Sequence, residues 1–438
     1  MEEALKFYEQ AVRASDHPEQ ISLTVSHAGG AYTYRYLAFR DGVNDEQNLF
    51  IAEKLSKTLL WLVGGVSIGV CGSNVIYEGL KKIYSESGAR AFDSDFMEGV
   101  YETKFRVVKY AADEVPETKL NAVKVGGHLN GCRIGFDAGG SDRKVSAVVD
   151  GTAVYSEEVV WNPKTESDPT YHYNGILAAM KTAASKMPRV DAIGVSSAGV
   201  YVDNKIMVAS LFLNVDKKKH GDYVKNMYIN VAKEFGDVPL VVANDGDVTA
   251  LAAHMSEGRN NVLGIAMGTS EAAGYINKQG GLNGWLSELA FVPVDANPEA
   301  MADEWSGDRG VGCKYFSQDA VIKLAGLGGY KFREGATPAE KLKEIQSLAE
   351  QGDPLARQIF EDIGIYLAHT LPFYARFYEI ELVLLLGRVT AGTGGTILFE
   401  SCKKTLKEAG LDFEISLPDE KSRRVGQSIA AASLPEIN

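Results

Sequence analysis

The alternation of apolar and polar residues predicts a regular succession of strands and helices from residue 133 onward. Apolar side chains alternate with other residues in 133–136 and return in 145–149, which indicates two strands joined by a glycine-rich turn. Further strands are predicted at 192–196, 240–243, 262–267, 272–276 and 382–386, and helices at 173–187, 221–235, 248–257, 338–350, 353–378, 396–409 and 422–433. This succession is typical of α/β layers, in which helices cover both faces of a sheet.

The first 130 residues follow a different order of elements. Their pattern predicts a helix, a hairpin that turns at Gly29-Gly30, two more helices and a strand, at 2–14, 21–39, 48–62, 74–86 and 105–110. A linker is expected over 111–118, where Pro116 lies in an acidic setting.

One stretch of this N-terminal part is similar to a stretch near the C-terminus. Residues 59–82 resemble residues 382–405 at a fixed offset, and His27 precedes Ala-Gly-Gly as Asp137 does. Either residues 1–130 contain a degenerate copy of the later hairpin and strand–helix elements, or strand–glycine–helix units merely look alike. Because His27 replaces a carboxylate, any such copy is expected to be structural.

The overall charge argues against two classes of partner. The formal net charge is −13 over 438 residues, and the short run 217–219 is flanked by Asp216 and His220. An acidic chain of this kind is not expected to bind nucleic acid or an anionic membrane. Its hydrophobic content of 45% is enough for a normal core in two or three domains.

The cysteines and the first residues indicate the compartment. The chain has four cysteines, Cys71, Cys132, Cys313 and Cys402. Their spacing fits neither a metal site nor a redox motif, which favours isolated thiols in a reducing compartment. Glu2, Glu3 and Lys6 interrupt the apolar core that a signal peptide needs, and the apolar stretch 59–71 is too short to span a bilayer. We therefore expect a cytoplasmic protein.

The segment Asp137-Ala-Gly139-Gly140-Ser141 is the first candidate for chemistry. Glycines without a β-carbon let backbone N–H groups approach phosphate oxygens, and a carboxylate beside them can hold Mg²⁺ through its water shell. The alternative is an ordinary hairpin with a glycine-rich turn.

The pair Asn244-Asp245 lies at the end of an apolar strand and the start of a helix. Sheets of this class place ligands at the carboxyl ends of their strands. Asp245 could act as a general base, while the Asn244 amide orients a hydroxyl group. The alternative is a helix N-cap, formed by Asp247 or by Asp245 itself.

Other segments complete the set. Gly268-Thr269 joins two predicted strands in a hairpin that could contact phosphate oxygens. Glu288 interrupts an apolar run, so it either pairs with a ligand or lies at the solvent edge. The turn from Gly387 to Gly392 could hold a nucleotide base against bare backbone. Gly199, after the strand at 192–196, is assigned to the substrate side of the site.

In this order the segments resemble the ROK family of sugar kinases and related repressors, within the sugar kinase/Hsp70/actin superfamily. The resemblance covers about residues 132–434. It implies two ribonuclease H-like lobes of the actin-like ATPase type around a cleft, plus an N-terminal α/β extension. The extension would be 1–130, the small lobe 131–245 with the C-terminal helix 422–434, and the large lobe 246–421.

The resemblance also implies a reaction, in which ATP with Mg²⁺ phosphorylates a hydroxyl of a sugar or amino sugar. Asp245 would be the catalytic base, and Asn244, Glu288 and Gly199 would bind the sugar. Asp137 would hold Mg²⁺ through phosphate and water. The nucleotide would be bound by Gly139, Gly140, Ser141, Gly268, Thr269, Gly387 and Gly392. A homodimer is an expectation at the level of the family.

The sequence departs from the family pattern at two places. Phe291 stands where the family has a histidine that binds sugar and zinc, and Ser306 and Asp308 replace the first two cysteines of its zinc loop. Only Cys313 remains, and one thiolate cannot build a tetrahedral zinc site, so no zinc is predicted. Because of these departures, two alternative functions remain open. The protein could be a sugar-sensing regulator without catalysis, or another kinase or ATPase of the same superfamily.

Overall fold

The computed structural model describes residues 1–119, 126–418 and 420–437. Within these ranges the strands form one five-stranded sheet, two four-stranded sheets and a two-stranded hairpin. No helix in the described ranges combines the length and the apolar character needed to cross a membrane.

The N-terminal extension forms its own small sheet. Its elements are α1 (Glu2–Arg13), β1 (Glu19–His27), β2 (Gly30–Ala38), α2 (Asp45–Val63), β3 (Ser67–Cys71), α3 (Asn74–Ile83), α4 (Ala91–Tyr101) and β4 (Arg106–Lys109). The strand order is β2-β1-β3-β4, with β1 antiparallel to both neighbours and β3 parallel to β4. The pattern analysis did not predict β3 or α4.

The small lobe contains the five-stranded sheet. Its elements are β5 (Cys132–Ala138), β6 (Asp142–Val149), β7 (Thr152–Val160), α5 (Pro169–Ala184), β8 (Ala192–Ser197), β9 (Val200–Val202), β10 (Lys205–Val208), α6 (Lys217–Lys219), α7 (Met227–Lys233) and β11 (Leu240–Asn244). The strand order is β11-β8-β5-β6-β7, and β11, β8 and β5 run parallel. The helix predicted at 221–235 is divided into a π-helical turn at His220–Val224 and α7.

The large lobe contains the second four-stranded sheet, of order β13-β12-β14-β15. Its elements are α8 (Asp245–Glu257), β12 (Val262–Met267), β13 (Glu271–Ile276), α9 (Gln318–Leu327), α10 (Pro338–Glu350), α11 (Pro354–Tyr374), β14 (Leu382–Leu386), α12 (Gly392–Glu408) and β15 (Glu414–Ser416). The last helix, α13 (Glu420–Ala432), returns to the small lobe. It packs so tightly on β5 and β8 that a β-carbon at Gly135 or Gly194 would clash with its backbone.

The extension and the large lobe share one hydrophobic core, whereas the sheet of the small lobe has a separate core. Leu59 and Trp61 of α2 belong to the same apolar cluster as Ile265 of β12 and Leu385 of β14. In addition, the largely buried Arg376 after α11 forms ion pairs with Glu2 and Glu9 of α1. The extension therefore packs as part of the large lobe.

The two stretches that looked alike in sequence differ in structure. Residues 59–63 end helix α2, whereas residues 382–386 are strand β14. The unit β3–α3–β4 does have the same parallel connection as β14–α12–β15, but β1 pairs with β3 antiparallel while β12 pairs with β14 parallel. The fixed offset consequently does not align structurally equivalent residues.

Candidate active site

The carboxyl ends of three parallel strands bring Asp137 and the Asn244-Asp245 pair to the same edge of the small-lobe sheet. Asp137 in β5 is in register with Ser196 in β8, and Ser196 is in register with Ala243 in β11. Parallel strands in such a sheet present their carboxyl ends, and hence their ligands, at one edge. The electrostatic effect of Asp137 on the pKa of Asp245 agrees with this proximity.

Asp137 is buried and its carboxylate is held by two neighbours. The Ser196 hydroxyl donates a 2.8 Å hydrogen bond to it, and the Lys144 ammonium lies 3.7 Å away. Burial raises the pKa of Asp137, while Lys144 and Ser196 act in the opposite direction. An oriented carboxylate in this place is chemically suited to a hydrated divalent cation.

The turn 139–141 follows Asp137 and is fixed from the outside by Trp161. The indole N–H of Trp161 donates to the Gly139 carbonyl at 2.8 Å, and its backbone N–H donates to the Ser141 carbonyl at 3.1 Å. Because Trp161 is buried, this support is rigid. A β-carbon at Gly139 would lie 2.6 Å from the Asp142 carbonyl oxygen, so the tight turn requires glycine there.

Asn244 provides the N-cap of α8, a role that the sequence analysis had considered for Asp245 or Asp247. Its Oδ1 accepts a 2.7 Å hydrogen bond from the Gly246 N–H. Its Nδ2 donates at 2.8 Å to the carbonyl oxygen of Gly199, which has φ 142°. The cap fixes the Asn244 side chain next to Gly199 and leaves the Asp245 carboxylate at the first turn of the helix.

Two cavities lie on either side of the start of α8. The larger has a volume of about 310 Å³ and is lined by Asp245, Gly246 and Gly387, together with Gly426 of α13. The smaller has a volume of about 200 Å³ and is lined by Gly199, Asn244, Asp247 and Trp285. Neighbouring residues of one strand–helix junction thus face two separate spaces.

Several carboxyl groups around this junction have raised pKa values. Burial, followed by the charge of Asp137, raises the pKa of Asp245 to about 6. Burial raises that of Asp247 to about 7, and burial with the charges of Asp245 and Asp247 raises that of Glu288 to about 8. Glu271 is buried, and its pKa is raised well above the usual range by burial and then by the charge of Glu288. The junction therefore concentrates carboxyl groups whose ionised form is disfavoured and would be stabilised by a cation or by hydroxyl donors.

The raised pKa of Glu288 leads to a prediction about stability without ligands. A carboxyl group that binds its proton more tightly in the folded state favours folding at low pH, and this contribution is lost as pH rises from about 4.5 to about 8. Glu288→Gln should weaken that pH dependence by up to about 1.4 kcal/mol per pH unit. Denaturant unfolding at pH 5, 6.5 and 8 measures the effect.

The exposed Glu299 offers the control, since Glu299→Gln should leave the dependence of the unfolding free energy on pH unchanged. If Glu288→Gln and the unaltered protein gave parallel curves, Glu288 would not titrate in this range.

The second hairpin, between β12 and β13, lies beside the turn that follows β14. The Arg388 guanidinium donates a 2.6 Å hydrogen bond to the Thr269 hydroxyl. Gly387 has φ 93°, and a β-carbon there would clash with the backbone of Met267. Gly268 donates to Ser270 across the hairpin at 2.9 Å. Gly392, by contrast, starts helix α12 and does not line the larger cavity.

The extension holds the segment that carries Glu288. The backbone N–H groups of Ser287 and Glu288 donate to the carbonyl oxygens of Leu62 and Trp61, each at 2.9 Å, at the end of α2. The rings of Trp61 and Phe291 lie 4.3 Å apart. The aromatic residue at 291, where the resemblance expects a histidine, thus packs against the extension.

The extension also binds the segment that resembles a zinc loop. The Asp308 carboxylate forms ion pairs with Lys57 of α2, at 2.5 Å, and with Arg90 before α4. Lys57 further binds Asp93 at 2.7 Å, and Asp93 also accepts a hydrogen bond from the Trp61 indole. A carboxylate held by two basic side chains is a poor metal ligand, and within the described ranges no group of three or more His, Cys, Asp or Glu residues could hold a metal ion.

This network was not predicted from the sequence. Lys57 is the visible signal, because a lysine in the apolar stretch of a helix needs a buried partner. Its partners Asp93 and Asp308 are far away along the chain, and no local pattern links them.

The chain was then compared with known proteins. The ROK family model matches residues 133–413. The comparison with curated proteins gave no match.

Solved structures share the fold at low identity. A ROK family glucokinase from Streptomyces griseus, solved with glucose and AMPPNP, is 21% identical with a TM-score of 0.50, over 70% of this chain and 99% of that one. A ROK hexokinase from Thermus thermophilus is 18% identical with a TM-score of 0.52, over 68% and 97%. A ROK family transcriptional regulator, a homologue of the E. coli MLC protein, is 17% identical with a TM-score of 0.53, over 70% and 79%.

At these identities the likeness concerns the fold, and it confirms the predicted α/β class with actin-like ATPase lobes. The family match covers most of the small and large lobes and leaves the extension outside it. The resemblance stated from the motifs is confirmed by this match, and the chain belongs to the ROK family.

Proposed function

We propose that this protein transfers the terminal phosphoryl group of ATP to a hydroxyl group of a sugar or amino sugar. The observation that carries the proposal is the junction of two cavities at Asn244-Asp245. A general base on one cavity, with an amide and a carboxyl group of the neighbouring residues on a second cavity, suits transfer between two substrates. The sugar kinases with a similar fold support the same reaction class.

The residues around the larger cavity fit a nucleotide. Its lining includes Gly246, Gly387, Gly426 and several alanines. These small residues leave room for a base and a ribose to lie against the backbone. The turn 139–141 and the hairpin at Gly268-Thr269 would bind the phosphates. Asp137 would hold Mg²⁺ through its hydration shell, and ATP bound with Mg²⁺ supplies the phosphoryl group.

Asp245 would accept the proton of the attacking hydroxyl group. As that proton moves to the Asp245 carboxylate, the sugar oxygen forms a bond to phosphorus, and the bond to the bridging oxygen of ADP breaks with its electron pair. Asn244, fixed by its hydrogen bonds to Gly246 and Gly199, has one amide hydrogen left to orient a hydroxyl group. Asp247 and Glu288 would accept hydrogen bonds from other hydroxyl groups of the sugar.

A coupled assay of ADP release tests the proposal on a panel of hexoses and amino sugars with MgATP. We expect sugar-dependent release of ADP with at least one member, and an identical amount of sugar phosphate. ADP release that does not depend on any sugar, or none at all while ATP is bound, would contradict a sugar kinase.

A sugar-sensing regulator is the second candidate. One support is the hydrogen bond from Arg388 to the Thr269 hydroxyl, a group that the kinase proposal assigns to phosphate binding. The other is the transcriptional regulator with a similar fold. Thermal-shift measurements separate the two functions, because a ligand stabilises the state that binds it. Stabilisation by sugar but not by MgATP would favour the regulator.

A further inference from the structure

Lys164 lies across the first phosphate turn although none of the family motifs contains it. A β-carbon built on Gly140 would be 3.0 Å from Cε and 3.2 Å from Nζ of Lys164, so the end of this side chain rests on the glycine. Glycine at 140 therefore leaves the space that the lysine side chain occupies. The positive charge of Lys164 also acts on Asp245, where it opposes the effect of burial on the pKa.

The backbone around Lys164 is anchored on both sides. His172 Nε2 lies 2.9 Å from the Pro163 carbonyl oxygen, and the Asn214 amide donates to the Thr165 carbonyl at 2.7 Å. Trp161, three residues before the lysine, is itself bonded to the turn. The orientation of the loop over the turn is consequently fixed by the fold.

Lys164 differs from Lys144 and Arg143, the other basic residues near this turn, because each of those two has a partner in the fold. Lys144 pairs with Asp142 and Asp137, and Arg143 stacks on the Trp161 ring. No ion pair or side-chain hydrogen bond of Lys164 occurs among the described residues, and its side chain is exposed to solvent. An ammonium group that rests on the turn and has no such partner is free to bind an anion.

We propose that Lys164 binds the terminal phosphate of the bound nucleotide and stays with that phosphoryl group as it moves to the acceptor. The inference rests on the proposed function, since it assigns a further residue to the same site. The ammonium group would offset the negative charge of the phosphoryl oxygens while the new P–O bond forms and the bond to ADP breaks. It transfers no proton itself.

Binding of AMPPNP and of ADP, each with Mg²⁺, tests the assignment by calorimetry on Lys164→Met, Lys164→Arg and the unaltered protein. Lys164→Met should weaken AMPPNP binding about 10- to 100-fold, the size of one charge-assisted hydrogen bond, and change ADP binding less than threefold. Lys164→Arg should recover part of the loss. Lys181→Met, an exposed lysine of α5 in the same lobe, should change neither.

Turnover with an active sugar gives the second readout. Lys164→Met should lower kcat about 10- to 100-fold with an unchanged melting temperature. Unchanged AMPPNP binding, or an equal loss for ADP and AMPPNP, would overturn the assignment even if the protein is a sugar kinase. If Lys164→Met selectively weakens AMPPNP binding but the unaltered protein phosphorylates no sugar, Lys164 is supported as a phosphate ligand. That outcome refutes only the proposed reaction. Failure of the unaltered protein to bind either nucleotide would overturn both.

Discussion

Asp245→Asn should lower the turnover of sugar phosphorylation by roughly 10²–10⁴-fold, the usual contribution of a positioned general base. The amide keeps the size and shape of the carboxylate but cannot accept the hydroxyl proton. Binding of nucleotide and sugar should change little, because the Asn244 cap and the walls of both cavities are unaffected. Steady-state kinetics and calorimetry on the same preparation separate the two effects.

The dependence of the rate on pH provides an independent readout. Since Asp245 must be ionised to act as a base, and its pKa is raised to about 6, kcat/KM should fall about tenfold per pH unit below pH 6. Asp237→Asn is the control, because it removes an exposed carboxylate outside both cavities and should preserve this acidic limb. A variant Asp245→Asn with full activity would remove Asp245 from the mechanism.

Lys57→Met should destabilise the protein by about 3–5 kcal/mol, the usual effect of removing one partner of a buried ion pair. Lys57 is 0% exposed and lies between Asp93 and Asp308, which are 1% and 9% exposed. Among the residues that the structure describes, Arg90 and the Trp61 indole are the partners that these carboxylates keep without the ammonium group. Equilibrium unfolding in urea measures the change.

Lys104→Met serves as the control, since Lys104 is 67% exposed and ion pairs at the solvent surface contribute little to stability. The same network holds the segment 303–314 against the extension, so Lys57→Met should also raise the KM for the sugar more than the KM for ATP. Equal stability of the two lysine variants would show that the network does not hold this segment in place.

The extension lies outside the family match but contacts segments inside it. The match begins at residue 133, yet helix α2 supplies the carbonyl groups that bind Ser287 and Glu288 and the lysine that binds Asp308. The segments that the resemblance assigns to sugar and zinc are therefore positioned in this protein by residues outside the matched region. Removal of the extension should expose Phe291, which packs against Trp61, and should destabilise the protein much more than a terminal truncation normally does.

The sequence by itself determined the α/β class and the order of the phosphate turn, the Asn-Asp pair and the second hairpin. These features are local, because glycines and a carboxylate after an apolar run constrain the backbone within a few residues. The same locality explains why β15 was missed, since a strand of three residues carries little periodicity.

The tertiary structure alone decided which residue caps α8, how Glu288 comes near Asp245 and Asp247, and that Lys57 and Arg90 share Asp308. It also decided that Lys164 rests on Gly140. Apart from the cap, in which Asn244 binds Gly246 two residues later, each of these contacts joins residues whose separation along the chain carries no periodic signal. They form only when the sheets and the extension pack together, because burial is what makes a distant charge or hydrogen-bond partner necessary.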